Sequence, residues 1–82
     1  MLAKIHVTFK NGVLDPQGKA VHHALNDLGY KEVSGVQVGK YMEVQLNDIS
    51  RDEAETRVKE MCEKLFANTV IESYRFTLEP AE

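Results

Sequence analysis

Ten residues in this 82-residue chain are of types or in patterns that could do chemistry: His6, the adjacent pair His22-His23, Cys62, the run Asp15-Pro16-Gln17-Gly18, and Gly39-Lys40. His22 and His23 project about 100° apart on a helix, so they cannot close on one metal ion as an i,i+4 pair would. His6 sits in an alternating run with no acidic or cysteine partner near it in sequence, and it reads as a surface or interface histidine rather than a catalytic base. Cys62 has no second cysteine to pair with and reads as a small buried apolar group. Asp15 could act as a general acid or base, but directly before Pro16 it is better explained as a helix N-cap, with proline at the first helical position. Gly39-Lys40 lacks the Ser or Thr that a phosphate-binding loop needs after its lysine, since Tyr41 follows. Lys40 could meet a carboxylate or phosphate on a partner, or stand in water at a hairpin turn. The backbone N–H groups of Gln17, Gly18 and Lys19 could hold an anion at the helix start, in competition with the Asp15 carboxylate. No catalytic constellation and no metal site emerge.

The elements that must position these residues follow from periodicity. Residues 3–9 alternate, with Ile5, Val7 and Phe9 on one face, as in a half-buried strand. Asn11-Gly12 is a turn dipeptide. Val21, Ala24, Leu25 and Leu28 recur at helical spacing, so residues 16–28 read as an amphipathic helix closed by Gly29. Residues 33–38 and 41–46 read as two strands of a hairpin, with Val36, Val38, Met42, Val44 and Leu46 toward the core. Ser50 and Glu53 form a capping box that opens a second helix, whose stripe is Ala54, Val58, Met61, Cys62 and Leu65. Its exposed face offers the i,i+4 pairs Glu53/Arg57, Glu55/Lys59 and Glu60/Lys64. Residues 70–78 alternate again, with Tyr74, Phe76 and Leu78 as core residues, and Glu79 to Glu82 should fray.

The order β-α-β-β-α-β over residues 1–82, with no linker or repeat, predicts a single domain: a two-layer α+β ferredoxin-like sandwich, its antiparallel sheet carrying two helices on one face. The first and third strands would be central. The helix-free face would then present Lys4, His6, Thr8, Gln37, Glu43, Gln45, Arg75 and Thr77, and an open sheet edge would favour oligomers. Asp15 and Pro16 suit this scheme, but a glycine in the first helical turn costs about 1 kcal/mol against alanine. Residues 11–18 therefore read as a surface approached closely by a partner, and Gly18→Val is expected to spare the fold while weakening assembly.

Hydrophobic residues at 43% and charged residues at 28% fit a soluble globular protein, and the apolar runs are too short to span a membrane. No signal-peptide pattern opens the chain, so a cytoplasmic location is expected. A net charge of −3 argues against a nucleic-acid surface. The same topology serves RNA-recognition domains, but strand one has no aromatic on its open face, the third strand offers only Tyr41, and the aromatic-glycine signature is missing. A stand-alone regulatory domain binding a small molecule stays open as a second reading.

Three further stretches carry a resemblance: residues 13–21 with Ala24-Leu25 and Leu28-Gly29-Tyr30, residues 36–40, and residues 61–65 with 67–72. Together they resemble the PurS family, the small subunit of phosphoribosylformylglycinamidine synthase, over nearly the whole chain. Gln37 stands where family members often carry arginine, a departure that bears on any partner salt bridge there. The resemblance implies a chain without an active site of its own, in an enzyme of purine biosynthesis that is glutamine- and ATP-dependent. It implies a homodimer or homotetramer that brings a glutaminase subunit (PurQ) and a synthetase subunit (PurL) together and assists ammonia transfer. No cofactor would be bound by this chain, ATP and Mg²⁺ belonging to the synthetase. Asp15, Pro16, Gln17, Gly18, Gly39 and Lys40 are the implied partner contacts.

Overall fold

A computed structural model describes residues 1–80 of the chain. Strand β1 (Leu2–Phe9) alternates as its sequence requires and is the centre of a three-stranded antiparallel sheet, with β2 (Lys40–Gln45) on one side and β3 (Glu72–Glu79) on the other. Ile5 lies opposite Met42 in one ladder and Phe76 in the other, so the three share one face. Helix α1 (Pro16–Asp27) follows β1, and helix α2 (Arg51–Met61) precedes β3. This is the expected α+β ferredoxin-like class.

The core is small. Ala3, Ile5, Val7, Ala54, Val58 and Cys62 are fully buried and Ala67 and Leu78 nearly so, with Met42, Val44, Leu46, Tyr74 and Phe76 packed around them. Burial pushes the Cys62 thiol up, with a smaller contribution from the neighbouring Glu63 carboxylate. The opposite sheet face is polar as predicted: the Lys4 ammonium lies 2.6 Å from Glu79, Tyr41 donates to Glu43 at 2.8 Å, and the His6 and Tyr41 ring centroids lie 4.8 Å apart with the planes tilted by 45°. Among the described residues, no helix is long and apolar enough to cross a membrane.

Four local expectations need correction. Residues 33–38 form no ladder, so β2 is an edge and β1 alone is central. The reason is that their polar groups are engaged elsewhere: the His22 ring nitrogen lies 3.0 Å from the Val33 carbonyl, Val38 N–H donates to Asp15, and Gln37 donates to the Phe9 carbonyl at 3.0 Å. Gln37 accordingly leaves the open sheet face. Leu65, placed in the α2 stripe, is 78% exposed, because α2 runs on into a π-helical turn (Cys62–Phe66). The wider turn carries the inward direction from Cys62 to Phe66 and Ala67, and Leu65 swings out. Residues 70 and 71 are turn rather than strand, closed by Glu72 N–H on the Asn68 carbonyl at 2.7 Å. On α2, Glu60 meets Lys64 at 3.9 Å as expected, while Glu55 turns instead to Arg51 at 3.8 Å. Of the tail, Glu79 belongs to β3, and residues 81 and 82 lie outside the described residues.

Candidate functional site

The residues singled out by sequence gather where α1 leaves and rejoins the sheet. Gly12, at φ 85°, adopts the left-handed conformation that the turn after β1 requires. Asp15 then does two things with one carboxylate: Oδ1 accepts from Gly18 N–H at 2.9 Å, capping α1, and Oδ2 accepts from Val38 N–H at 2.9 Å, fastening the returning chain. The N-cap reading holds, and the carboxylate takes the Gly18 N–H for which a bound anion would have to compete. The Val38 N–H first, and the Gly18 N–H second, hold the Asp15 carboxyl below the usual carboxylate range.

A pH dependence follows from that direction. A carboxyl depressed in the folded state stabilises fully above its unfolded value, near 3.9, and ceases to do so as pH falls through the lower folded value. The urea midpoint of the wild type should exceed that of Asp15→Ala by a constant margin from pH 7 to pH 5. Below about pH 4 the two midpoints should converge. A margin that persisted at pH 2 would show that the charge of Asp15 contributes nothing.

Gly18 overturns its sequence reading. It is the buried residue of α1, and a Cβ there would strike the Val36 carbonyl oxygen and lie 2.6 Å from Asp15 Oδ2. The glycine is required by its own chain's close approach, not by a partner's. Gly39 has a similar reason: a Cβ would meet the Val7 carbonyl oxygen at 2.5 Å and the Thr8 methyl at 2.8 Å.

Pro16, Gln17 and Lys40 remain accessible. Gln17, Gly39 and Lys40 share the wall of a cleft of about 260 Å³ with Glu72 and the end of β1. The Lys40 ammonium donates to the Phe66 carbonyl at 3.3 Å and lies 3.7 Å from the Glu72 carboxylate, so its first anionic neighbour is internal. Glu72 was missed by sequence reasoning, although a signal was present. An acid at a core-face position of a strand, here only 13% exposed, demands a cation, and Lys40 occupies the same face across β1. Lys10 was missed as well: its ammonium donates to the Thr69 carbonyl at 2.6 Å and so braces the turn that carries Val70 and Ile71. Of the histidines, His22 fastens the returning chain and His23 faces Asp27 at 3.3 Å on the exposed side of α1.

The geometry is that of a braced loop junction with an accessible amide and ammonium, and comparison with known proteins supplies its context. The family model for PurS, phosphoribosylformylglycinamidine (FGAM) synthase, matches residues 2–80. The chain belongs to the PurS family. The PurS subunit of Bacillus subtilis is 55% identical over 76 residues, covering 93% of this chain and 89% of that relative. The crystal structure of Methanocaldococcus jannaschii PurS, described as a subunit of formylglycinamide ribonucleotide amidotransferase, superposes with a TM-score of 0.86 at 36% identity, covering 99% of this chain and 98% of that one. A chain of the Thermotoga maritima PurLQS structure matches with a TM-score of 0.80 at 26% identity, covering 94% and 96% of the two chains. The family's architecture therefore extends over essentially every element described above.

Proposed function

We propose that this chain is the non-catalytic subunit of a cytoplasmic FGAM synthase, holding a glutaminase and an ATP-dependent synthetase together so that ammonia released by one reaches the other. The observation that carries the reading is the extent of the likeness: the family model runs from residue 2 to residue 80. The arrangement of side chains supports it. Asp15, Gly18 and Gly39 are consumed in building the junction, while Pro16, Gln17 and Lys40 stand on its surface, Pro16 as an apolar contact and Gln17 and Lys40 with hydrogen-bonding capacity to spare. Those three are the contacts we assign to a partner subunit. ATP and Mg²⁺ act at the synthetase, and this chain self-associates as a homodimer or a homotetramer.

The test is reconstitution. The purified chain is mixed with its glutaminase and synthetase subunits, and glutamine-dependent amidation is measured with and without it. Activity should depend on the chain, and equal activity in its absence overturns the proposal. Within the reconstituted enzyme, Lys40→Met should raise the Kd for assembly by on the order of tenfold, the loss of one hydrogen bond to a charged group. Its unfolding midpoint should fall modestly, since the Glu72 carboxylate loses a cation 3.7 Å away whose own side chain is more than half exposed.

A further inference from the structure

The helix-free face of the sheet carries more than solvated polar groups. The two ladders place Tyr41, His6 and Arg75 in one row across it, and all three are exposed, Tyr41 by 50%. The His6 and Tyr41 ring centroids lie 4.8 Å apart at a 45° tilt, so the imidazole supplies on β1 a π face that a count of Phe, Tyr and Trp overlooks. Tyr41 is also tethered: its hydroxyl donates at 2.8 Å to Glu43, the next residue on the same face of β2. That hydrogen bond, ahead of burial, pushes the Tyr41 phenol up, so the ring stays neutral.

Charge is spread unevenly over this face. Lys4 lies 2.6 Å from Glu79 and stands opposite Glu43 in the β1–β2 ladder, so that cation is neutralised. Arg75 forms no ion pair among the described residues. Its backbone is two strands and one row from Glu43, about 12 Å, beyond the screening length of about 8 Å at physiological salt. One end of the row is therefore aromatic and the other cationic. A cross-strand ring pair steadies an edge strand, but that role requires neither the Glu43 tether nor an unpaired guanidinium beside it.

We propose that this face binds one purine nucleoside monophosphate, its base on Tyr41 against His6 and its phosphate on Arg75. Rings on neighbouring strands are a platform on which a nucleobase stacks. Tilted as they are, the two cannot both lie flat under one planar base, so the base rests on the phenol and meets the imidazole at its rim. Only a two-ring base reaches both. An unpaired guanidinium takes a phosphate bidentately. Two strand spacings, about 10 Å, separate the Tyr41 and Arg75 backbones, a gap that one ribose and the length of an arginine side chain bridge. A single nucleotide fits better than a strand, because one cation is unpaired on this face among the described residues and the net charge is −3. The site lies on the opposite side of the sheet from Lys40 and does not depend on the bridging role.

The experiment follows the amide chemical shifts of the full isotope-labelled chain during titration with AMP, adenosine, ribose 5-phosphate and UMP. AMP should shift the amides around Tyr41, His6 and Arg75 with a Kd of about 0.1–1 mM, the strength of one stack and one charged contact on an open surface. Adenosine and ribose 5-phosphate should each bind about tenfold more weakly. Arg75→Gln should reduce AMP to the affinity of adenosine, and Tyr41→Leu should reduce it to that of ribose 5-phosphate. Both positions are exposed, so the circular dichroism should be kept. Shifts that bypass the row overturn the proposal, as does an Arg75→Gln chain that still prefers AMP to adenosine, or UMP bound as tightly as AMP. So does a single-stranded oligoadenylate bound more than about tenfold tighter than AMP, the mark of a strand-binding face. Shifts that vanish as the chain is concentrated would show a second copy seated on the row and overturn it too.

Discussion

Gly18→Val should lower folding stability by about 1–3 kcal/mol, the usual cost of forcing atoms into a packed site. What makes the cost unavoidable is the identity of the neighbours. A new Cβ would strike the backbone carbonyl of Val36 and crowd Asp15 Oδ2 at 2.6 Å. Neither can withdraw, since Val36 is two residues from the Val38 N–H that Asp15 holds at 2.9 Å and the other Asp15 oxygen is held by Gly18 itself. Any gain in helix propensity on replacing glycine is a few tenths of a kcal/mol for a β-branched residue and does not compensate. In urea titrations the midpoint should drop with little change in slope, and the Val38 amide should lose its protection from hydrogen exchange. An unchanged midpoint would return Gly18 to the role of a partner-facing residue.

Ile5→Ala should be more damaging still, about 2–5 kcal/mol. Ile5 is fully buried at the centre of the middle strand, opposite both Met42 and Phe76, where its removal leaves a void that no flexible loop can close. A domain of this length has only about 4–12 kcal/mol to lose. The variant should therefore be largely unfolded, or cooperative only at low temperature. Ile5→Val, costing about 0.5–1.5 kcal/mol, should retain a sharp transition with a lower midpoint and distinguish a packing defect from a failure of the strand to form. Equal midpoints for the two variants would mean that the site collapses around the cavity.

The parts of the molecule legible from sequence are those governed by one neighbour relation. β1, α1, α2 and β3 were found because period 2 or period 3.6 in a strand or helix depends only on which face meets the core. The Asp15 cap, the buried Cys62 and the core residues Tyr74, Phe76 and Leu78 belong with them. Residues 33–38 escaped because their alternation is identical to that of a paired strand, and what decides against the ladder is the side chains of Asp15, His22 and Gln37 far away in sequence. Leu65 escaped because a single turn of different pitch rotates everything after it. Gly18 escaped for a third reason: the helix start could be read, but the strand-like limb that crosses it could not. At the site, the resemblance named residues that the fold gathers at one junction, yet composition could not say which of them the junction itself consumes. Asp15, Gly18 and Gly39 are held by its bonds and close backbone approaches, and Gln17 and Lys40 stay accessible.

The fully buried Cys62 gives the molecule a clock of its own. A thiol that is shielded and held protonated cannot react with an alkylating reagent until α2 lifts from the sheet. When opening and closing are fast, the labelling rate in native buffer then equals the intrinsic thiol rate multiplied by the fraction of molecules open. The stability of the core under working conditions, in the free chain or within its assembly, can be timed by mass spectrometry without denaturant and without an introduced label.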